Sequence, residues 1–241
     1  MRITVTALLW YDPKGKWNKT FVYKPGHVNR LKRMVDRHLS IPHDFVCIHD
    51  GTYPASDFDP DIRLVPLDRS TMKDKGGFRR FPKLMIFRPD AAELIGDRIL
   101  LMDVDTVVTG SMDHVVDRPE DLVLWRNPAF GRKRRSRYNS SLVLLRAGAR
   151  PLLWTSFNLE AVLARLEAQN IPISDQHWIT ENVAPDEAHW TGKDGVYWCE
   201  ETPFSGGKLP ANAAIVTFPG RRDPSMKKMQ RKFPWIKDHW R

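Results

Sequence analysis

Short apolar runs alternate with longer amphipathic stretches along the chain, and their periods predict its elements. Ile3, Val5 and Ala7 alternate with polar residues before Leu8-Leu9-Trp10, the period-two pattern of a first strand. Val28, Leu31, Val35 and Leu39 recur at helical spacing among lysines and arginines, predicting an amphipathic helix over residues 27–39. Phe45-Val46-Cys47-Ile48 predicts a buried strand closed by an Asp50-Gly51 turn, and Ile62-Arg63-Leu64-Val65 a third strand. Residues 71–77 are polar and Gly-bearing, a loop. Pro82 suits the first turn of a helix through Phe87. Ile99-Leu100-Leu101-Met102 is a wholly apolar strand that runs into Asp103-Val104-Asp105. Residues 122–125 and 141–145 add strands, residues 151–168 a helix, and residues 213–218 a late strand ended by Pro219-Gly220. The order strand, helix, strand, strand, helix, strand in the first half predicts an α/β fold with a mostly parallel sheet flanked by helices. With no internal repeat or linker, a single domain is expected over residues 1–241, ending in a basic, aromatic tail from about residue 225.

Composition narrows the partners more than the fold. The 241 residues, about 41% of them apolar, suffice for a core without disulfides or structural metal. The two cysteines lack CxxC spacing, which argues against a disulfide framework or a zinc knuckle, and Cys47 is expected as a buried thiol. The eight histidines form no HxH or HxxxH pair, which argues against zinc. The N-terminal apolar run is too short for a signal peptide, and no stretch reaches the length of a membrane span. A cytoplasmic protein is expected, with a peripheral contact at the inner membrane surface left open. The net charge of +9 favours anionic partners: nucleotides, phosphorylated glycans, acidic lipid or nucleic acid. The excess concentrates in residues 132–137 and in the tail from Lys227 to Arg241, where basic and aromatic residues mix. Pro234 argues against one continuous helix there, so packing of Trp235 on the domain competes with a membrane role.

The most informative feature is the acidic pair after a buried strand. Two carboxylates at a strand end are costly unless a cation or hydrogen bonds compensate them. Residues two apart on an extended segment share a face, so Asp103 and Asp105 are placed to address one ion. In open α/β sheets ligands gather beyond the carboxyl ends of strands. Hard oxygen ligands suit Mn²⁺ or Mg²⁺, which bridge the phosphates of a nucleotide diphosphate and stabilise charge on a departing phosphate. A turn or helix-cap pair is the alternative that needs no metal.

From these residues onward the chain resembles glycosyltransferases of the GT-A fold, in particular the family 8-like group of glycogenin-type and bacterial galactosyl- and glucosyltransferases. The similarity follows five short motifs in order over roughly residues 1–224. Residues Arg80-Phe81-Pro82-Lys83 resemble the segment that lends a basic residue, here Lys83, to the donor pyrophosphate. Asp103-Val104-Asp105 resembles the metal motif, and Asn139-Ser140-Ser141 the strand near the donor sugar. Asp175-Gln176 resembles the helix-starting pair that faces the transferred sugar. In a retaining mechanism, Gln176 would contact the sugar's far face and Asp175 its hydroxyls. Residues Thr217-Phe218-Pro219-Gly220-Arg221 resemble the late motif around metal and phosphate, with Gly220 and Arg221 toward the phosphate. The resemblance implies a metal-dependent glycosyltransferase that uses a nucleotide-diphosphate sugar, commonly of uridine, and an unidentified acceptor. The chain departs from it at Thr217, where the family has a ligating histidine; at Arg222-Asp223, where it has lysine before proline; and at Ser141, where it has glycine.

Several residues carry two readings. Lys83 contacts phosphate or snorkels to solvent. Asp50 binds ribose or base, or closes a turn. Tyr11 stacks on the nucleobase or packs. Asp175 follows Ser174, which is also a good helix cap. The run at 132–137 is a solvated loop or faces an anionic acceptor. Two rival functions fit parts of the chain. A haloacid-dehalogenase-type phosphatase would use Asp103 as nucleophile and Asp105 as acid/base, but its motif belongs on a first strand. A non-enzymatic nucleic-acid-binding protein would use the charge, but no nucleic-acid module appears and nucleic acid is not the expected partner.

Overall fold

The computed structural model describes residues 2–10, 23–71, 81–131, 136–171, 174–218 and 222–241. Its first half lays down β1 (Ile3–Leu9), α1 (Pro25–His38), β2 (His43–His49), β3 (Ile62–Pro66), a 3-10 segment (Pro82–Phe87), α2 (Ala91–Leu94) and β4 (Arg98–Met102). There follow β5 (Val107–Val108), α3 (Asp113–Val116), β6 (Leu122–Arg126), β7 (Tyr138–Arg146), α4 (Leu152–Thr155), α5 (Leu159–Ala168) and α6 (Asp175–Asn182). The chain ends with β8 (His189–Trp190), β9 (Val196–Trp198), β10 (Ile215–Thr217), α7 (Lys227–Lys232) and α8 (Ile236–His239).

Seven strands form the main sheet in the order β3-β2-β1-β4-β7-β6-β8. β3, β2, β1 and β4 run parallel, β7 is antiparallel to both its neighbours, and β8 is parallel to β6. The expected α/β architecture with a mostly parallel sheet is present. The strands read as continuous apolar runs because both faces are covered. In β4, Leu100 and Met102 enter one core while Ile99 and Leu101 enter the other. In β2, Phe45 and Cys47 face the first core and Val46 and Ile48 the second, which confirms Cys47 as a buried thiol. α1 packs Val28, Leu31, Met34 and Val35 into the first core, and Phe81, Leu84, Ile86 and Phe87 fill the second. Each such fully buried side chain contributes roughly 1.5–3 kcal/mol.

Several predicted elements take a different form. The Pro82 helix is 3-10 rather than α, and the late strand shortens to Ile215–Thr217. The helix expected over residues 151–168 is two helices. Asn158 caps the second by accepting from Ala161 N at 3.0 Å, a stronger preference than continuing the first. A second sheet, β5-β10-β9, stands beside the first; its two- and three-residue strands are too short to show a period. In the tail, Met229, Phe233, Trp235, Ile236 and Trp240 are buried in the first core. Packing accounts for the tail's aromatics, so a membrane contact there would have only exposed cations such as Lys227, Lys228 and Arg231. Among the described residues, no helix is long and apolar enough to cross a membrane. Most of the loop predicted at 71–77 lies outside the described residues.

Asn158→Ala should lower stability by about 1 kcal/mol, read as a lower urea midpoint at unchanged slope. An unchanged midpoint would mean that packing alone holds α5.

Candidate active site

Strand order changes direction at β1: β2 lies on one side of it and β4 on the other. The carboxyl ends of β1 and β4 flank that change of direction, the usual ligand position in such sheets. Antiparallel β7 lies beside β4. Met102 pairs with Leu142, so the start of β7, from Asn139 to Ser141, extends past the end of β4. Asp103 N donates to Ser141 O at 3.0 Å and fixes the acidic pair against β7.

β4 ends at Met102, and the pair lies on a turn in which Thr106 N donates to Asp103 O at 3.1 Å. The expectation of two carboxylates sharing a strand face is corrected accordingly: turn geometry gives them different partners. Lys83 Nζ lies 2.6 Å from Asp103 Oδ1, while Tyr23 Oη donates to Asp105 Oδ2 at 2.6 Å. One oxygen of each carboxylate is thus left without a partner among the described residues. The 3-10 segment turns Lys83 inward, where it also donates to Ser140 O at 3.3 Å and Ser140 Oγ at 3.4 Å. Solvent snorkelling is excluded for this lysine. Ser140 Oγ in turn donates to Asp175.

Asp175 opens α6 and Ser174 caps it, accepting from His177 N at 3.3 Å, so the cap and the site share one helix start. Asp175 is 7% exposed, and its Oδ2 is buried with no hydrogen-bond partner among the described residues. Gln176 Nε2 donates to Asn139 Oδ1 at 3.4 Å, and Asn139 Oδ1 also accepts from Ser141 N at 2.8 Å. The fold thus gathers Lys83, Asp103, Asp105, Asn139, Ser140, Asp175 and Gln176, drawn from well-separated segments of the chain.

Electrostatics follow from the shared burial. Desolvation, then repulsion from Asp103, raises the Asp105 carboxyl well above the usual range against the opposing Tyr23 hydrogen bond. Desolvation also raises Asp175, with Lys83 and the Ser140 hydroxyl opposing. Burial disfavours the Lys83 charge, but Asp103, Asp175 and Asp105 outweigh it and hold the ammonium above the ordinary lysine range.

Asp50 Oδ1 accepts from Thr52 N at 3.1 Å in the turn closed by Gly51, whose φ of 80° suits glycine. Tyr11, Gly220 and Arg221 lie outside the described residues, as do residues 132–135 of the basic run. Thr217 is brought close by the small sheet: Val216 pairs with Val107, so the next residue stands beside the acidic turn. Its hydroxyl donates to Tyr197 O at 3.4 Å.

Sequence reasoning missed the far wall. Tyr23 packs edge-on against His27, and His27 Nε2 lies 3.3 Å from Asp223 Oδ2. Asp223 is 1% exposed, and His27 and Ser225 hold its carboxyl below the usual range despite its burial. The one available signal was Asp223 standing where the resembled family has lysine. Tyr23 carried none. Among the described residues no three histidine, cysteine or acidic side chains converge as a metal-ligand group.

Compared by sequence alone, the chain matches no protein-family profile and no curated protein. Compared by structure, it is similar to the galactosyltransferase LgtC, solved in complex with donor and acceptor sugar analogues. The TM-score is 0.63 at 11% identity, covering 99% of this chain and 96% of that one. An active-site mutant of LgtC, with glutamate replacing glutamine, gives 0.62 at 11% identity. The glycosyltransferase GlyE of Streptococcus pneumoniae TIGR4 gives 0.60 at 13% identity over 94% of this chain, which spans 57% of the GlyE chain. At such identities the likeness is one of fold, and the chain has the GT-A fold of these proteins.

Lys83→Met should destabilise the protein by about 2–4 kcal/mol at pH 8, because it leaves buried carboxylates uncompensated. Lowering the pH favours the neutral forms of Asp105 and Asp175, whose carboxyls burial raises, and should narrow the deficit, and Asp103→Asn in the same chain should recover part of it. A deficit independent of pH would contradict this electrostatic role.

Proposed function

We propose that the protein is a metal-dependent glycosyltransferase that takes a sugar from a nucleotide-diphosphate donor, with uridine as the base. The observation that carries this reading is the convergence, in a GT-A crevice, of two partly uncommitted carboxylates with Lys83 and the orphaned Oδ2 of Asp175. A buried carboxylate oxygen without a donor is costly and is explained by a ligand that supplies one. Structurally similar proteins are glycosyltransferases, one of them captured with donor and acceptor sugar analogues.

Asp103 and Asp105 offer only hard oxygen atoms, a donor set that fits Mn²⁺ or Mg²⁺ and not a soft ion. With Thr217 in place of a ligating histidine, the protein would supply two carboxylates and leave the other positions to phosphate oxygens and water. Bound there, the ion would stabilise charge on the departing diphosphate. Lys83 holds Asp103 in place and adds positive charge near the phosphates. Asp175 accepts a hydrogen bond from a donor-sugar hydroxyl through Oδ2, and Gln176, steadied by Asn139, presents its amide to the sugar ring. Replacement of an active-site glutamine in LgtC is in keeping with such a position. Ser140 links Asp175 to Lys83, and Gly220 and Arg221 are assigned to the phosphates by motif resemblance alone. Retention of anomeric configuration rests on the same resemblance.

The phosphatase alternative places its nucleophile motif after a first strand, whereas Asp103 follows the fourth. Nucleic-acid binding would leave the acidic crevice without a role.

Incubation with Mn²⁺ and a panel of nucleotide sugars tests the proposal. Metal-dependent release of nucleoside diphosphate from one donor, lost at least a hundredfold in Asp103→Asn, is the expected result on the scale of removing a key charge-stabilising contact. Hydrolysis of a simple phosphate ester with no action on any sugar nucleotide would support the phosphatase instead.

A further inference from the structure

The hairpin joining β6 to β7 carries a second, unassigned feature. Arg126 ends β6, and its ladder partner is Tyr138; the adjoining rung pairs Trp125 with Asn139, the residue that receives the Gln176 amide. The hairpin base is therefore one strand residue, about 3.3 Å, from the sugar-facing part of the site. Here the guanidiniums of Arg126 and Arg137 both lie over the ring of Phe130, 5.3 and 5.4 Å from its centroid.

These two arginines differ from their counterparts elsewhere. The other half-buried arginines, Arg30, Arg88, Arg118, Arg150 and Arg222, each donate to a carbonyl or carboxylate oxygen. Among the described residues, Arg126 and Arg137 meet neither. Both are partly withdrawn from water, and each lies against the Phe130 ring, which packs the guanidiniums without neutralising them. Two cations without a carboxylate partner among the described residues, set around one ring, favour an anionic ligand beside them. Arg126 ends β6 and Arg137 precedes β7, on the near side of Asn139, whereas Lys83 and Asp103 meet Ser140 and Ser141 on its far side, which separates the pair from the proposed phosphate site.

We propose that Arg126 and Arg137, held by Phe130, form an anion subsite for the acceptor, so that the acceptor is a sugar bearing a phosphate or carboxylate group. This rests on the glycosyltransferase reading of the adjacent crevice. Glycosyl transfer itself is unaltered by the subsite; it recruits and orients the acceptor.

Binding of glucose, glucose 6-phosphate and glucuronate, followed by NMR titration at low salt, tests it whatever the donor is. At least one anionic sugar should bind tenfold or more tightly than glucose, as expected for charge-assisted hydrogen bonds. The tighter of the two identifies phosphate or carboxylate as the recognised group. The preference should vanish in Arg126→Gln/Arg137→Gln, persist in part in the corresponding double lysine variant, and weaken as salt rises. Equal binding of all three sugars, binding of none, or a preference retained by the glutamine variant would overturn the proposal. If the double variant fails to fold, Arg137→Gln alone should show a reduced preference, and no reduction there counts against the subsite. UDP with Mn²⁺, titrated into the same wild-type sample, gauges the donor reading separately. Its failure to bind beside a surviving anionic preference would sink the donor assignment and leave the subsite standing.

Discussion

Three carboxylates, Asp103, Asp105 and Asp175, share poorly solvated space with the ammonium of Lys83, and the crevice is organised around that imbalance. One positive charge cannot satisfy three acids in a low-dielectric pocket, so burial drives Asp105 and Asp175 toward their neutral forms. A protein with no use for the arrangement would be more stable with apolar residues there. In the proposed function a divalent cation would supply the missing charge and turn a liability of the isolated fold into affinity for a ligand that carries both cation and phosphate.

The fold makes this imbalance possible by bringing distant segments to one edge. β4 delivers the acidic turn and β7, running the opposite way, carries Asn139 and Ser140 past it. The 3-10 segment aims Lys83 inward, and the capped start of α6 presents Asp175 and Gln176. The small sheet and the buried tail form the opposite side, where His27 and Asp223 anchor Tyr23 to Asp105. Along β7, Asn139 stands between the arginine pair at the hairpin base and the Ser140 and Ser141 contacts of Lys83 and Asp103, the division that the proposals read as acceptor and donor sides.

Much of the framework was legible because it is written in short-range pattern. The apolar run at 99–102 reads as a buried strand, and the carboxylates closing it needed a cation or hydrogen bonds to offset their burial. α1 announced itself by spacing alone. The failures are those of local reasoning where tertiary context decides. Nothing in residues 82–87 distinguishes 3-10 from α, and Phe157 continues an apolar pattern through the break that Asn158 caps. The strands of the second sheet are too short to have a period. Asp50 was ambiguous between ligand and turn; its carboxylate takes part in the turn that ends β2, two strands away from the acidic pair. Tyr23 reaches Asp105 across 82 residues, a contact no window of sequence contains. The run at 132–137 drew attention to charge, whereas the arginines distinguished by their surroundings, Arg126 and Arg137, stand before it and at its end and owe that distinction to Phe130.

Calorimetric titration of Mn²⁺ into the protein, with and without UDP and again in Asp105→Asn, tests the charge imbalance most directly. The account predicts that UDP raises Mn²⁺ affinity at least tenfold, a coupling of about 1.4 kcal/mol, and that the variant loses this coupling. Equal Mn²⁺ affinity in all three titrations would contradict it.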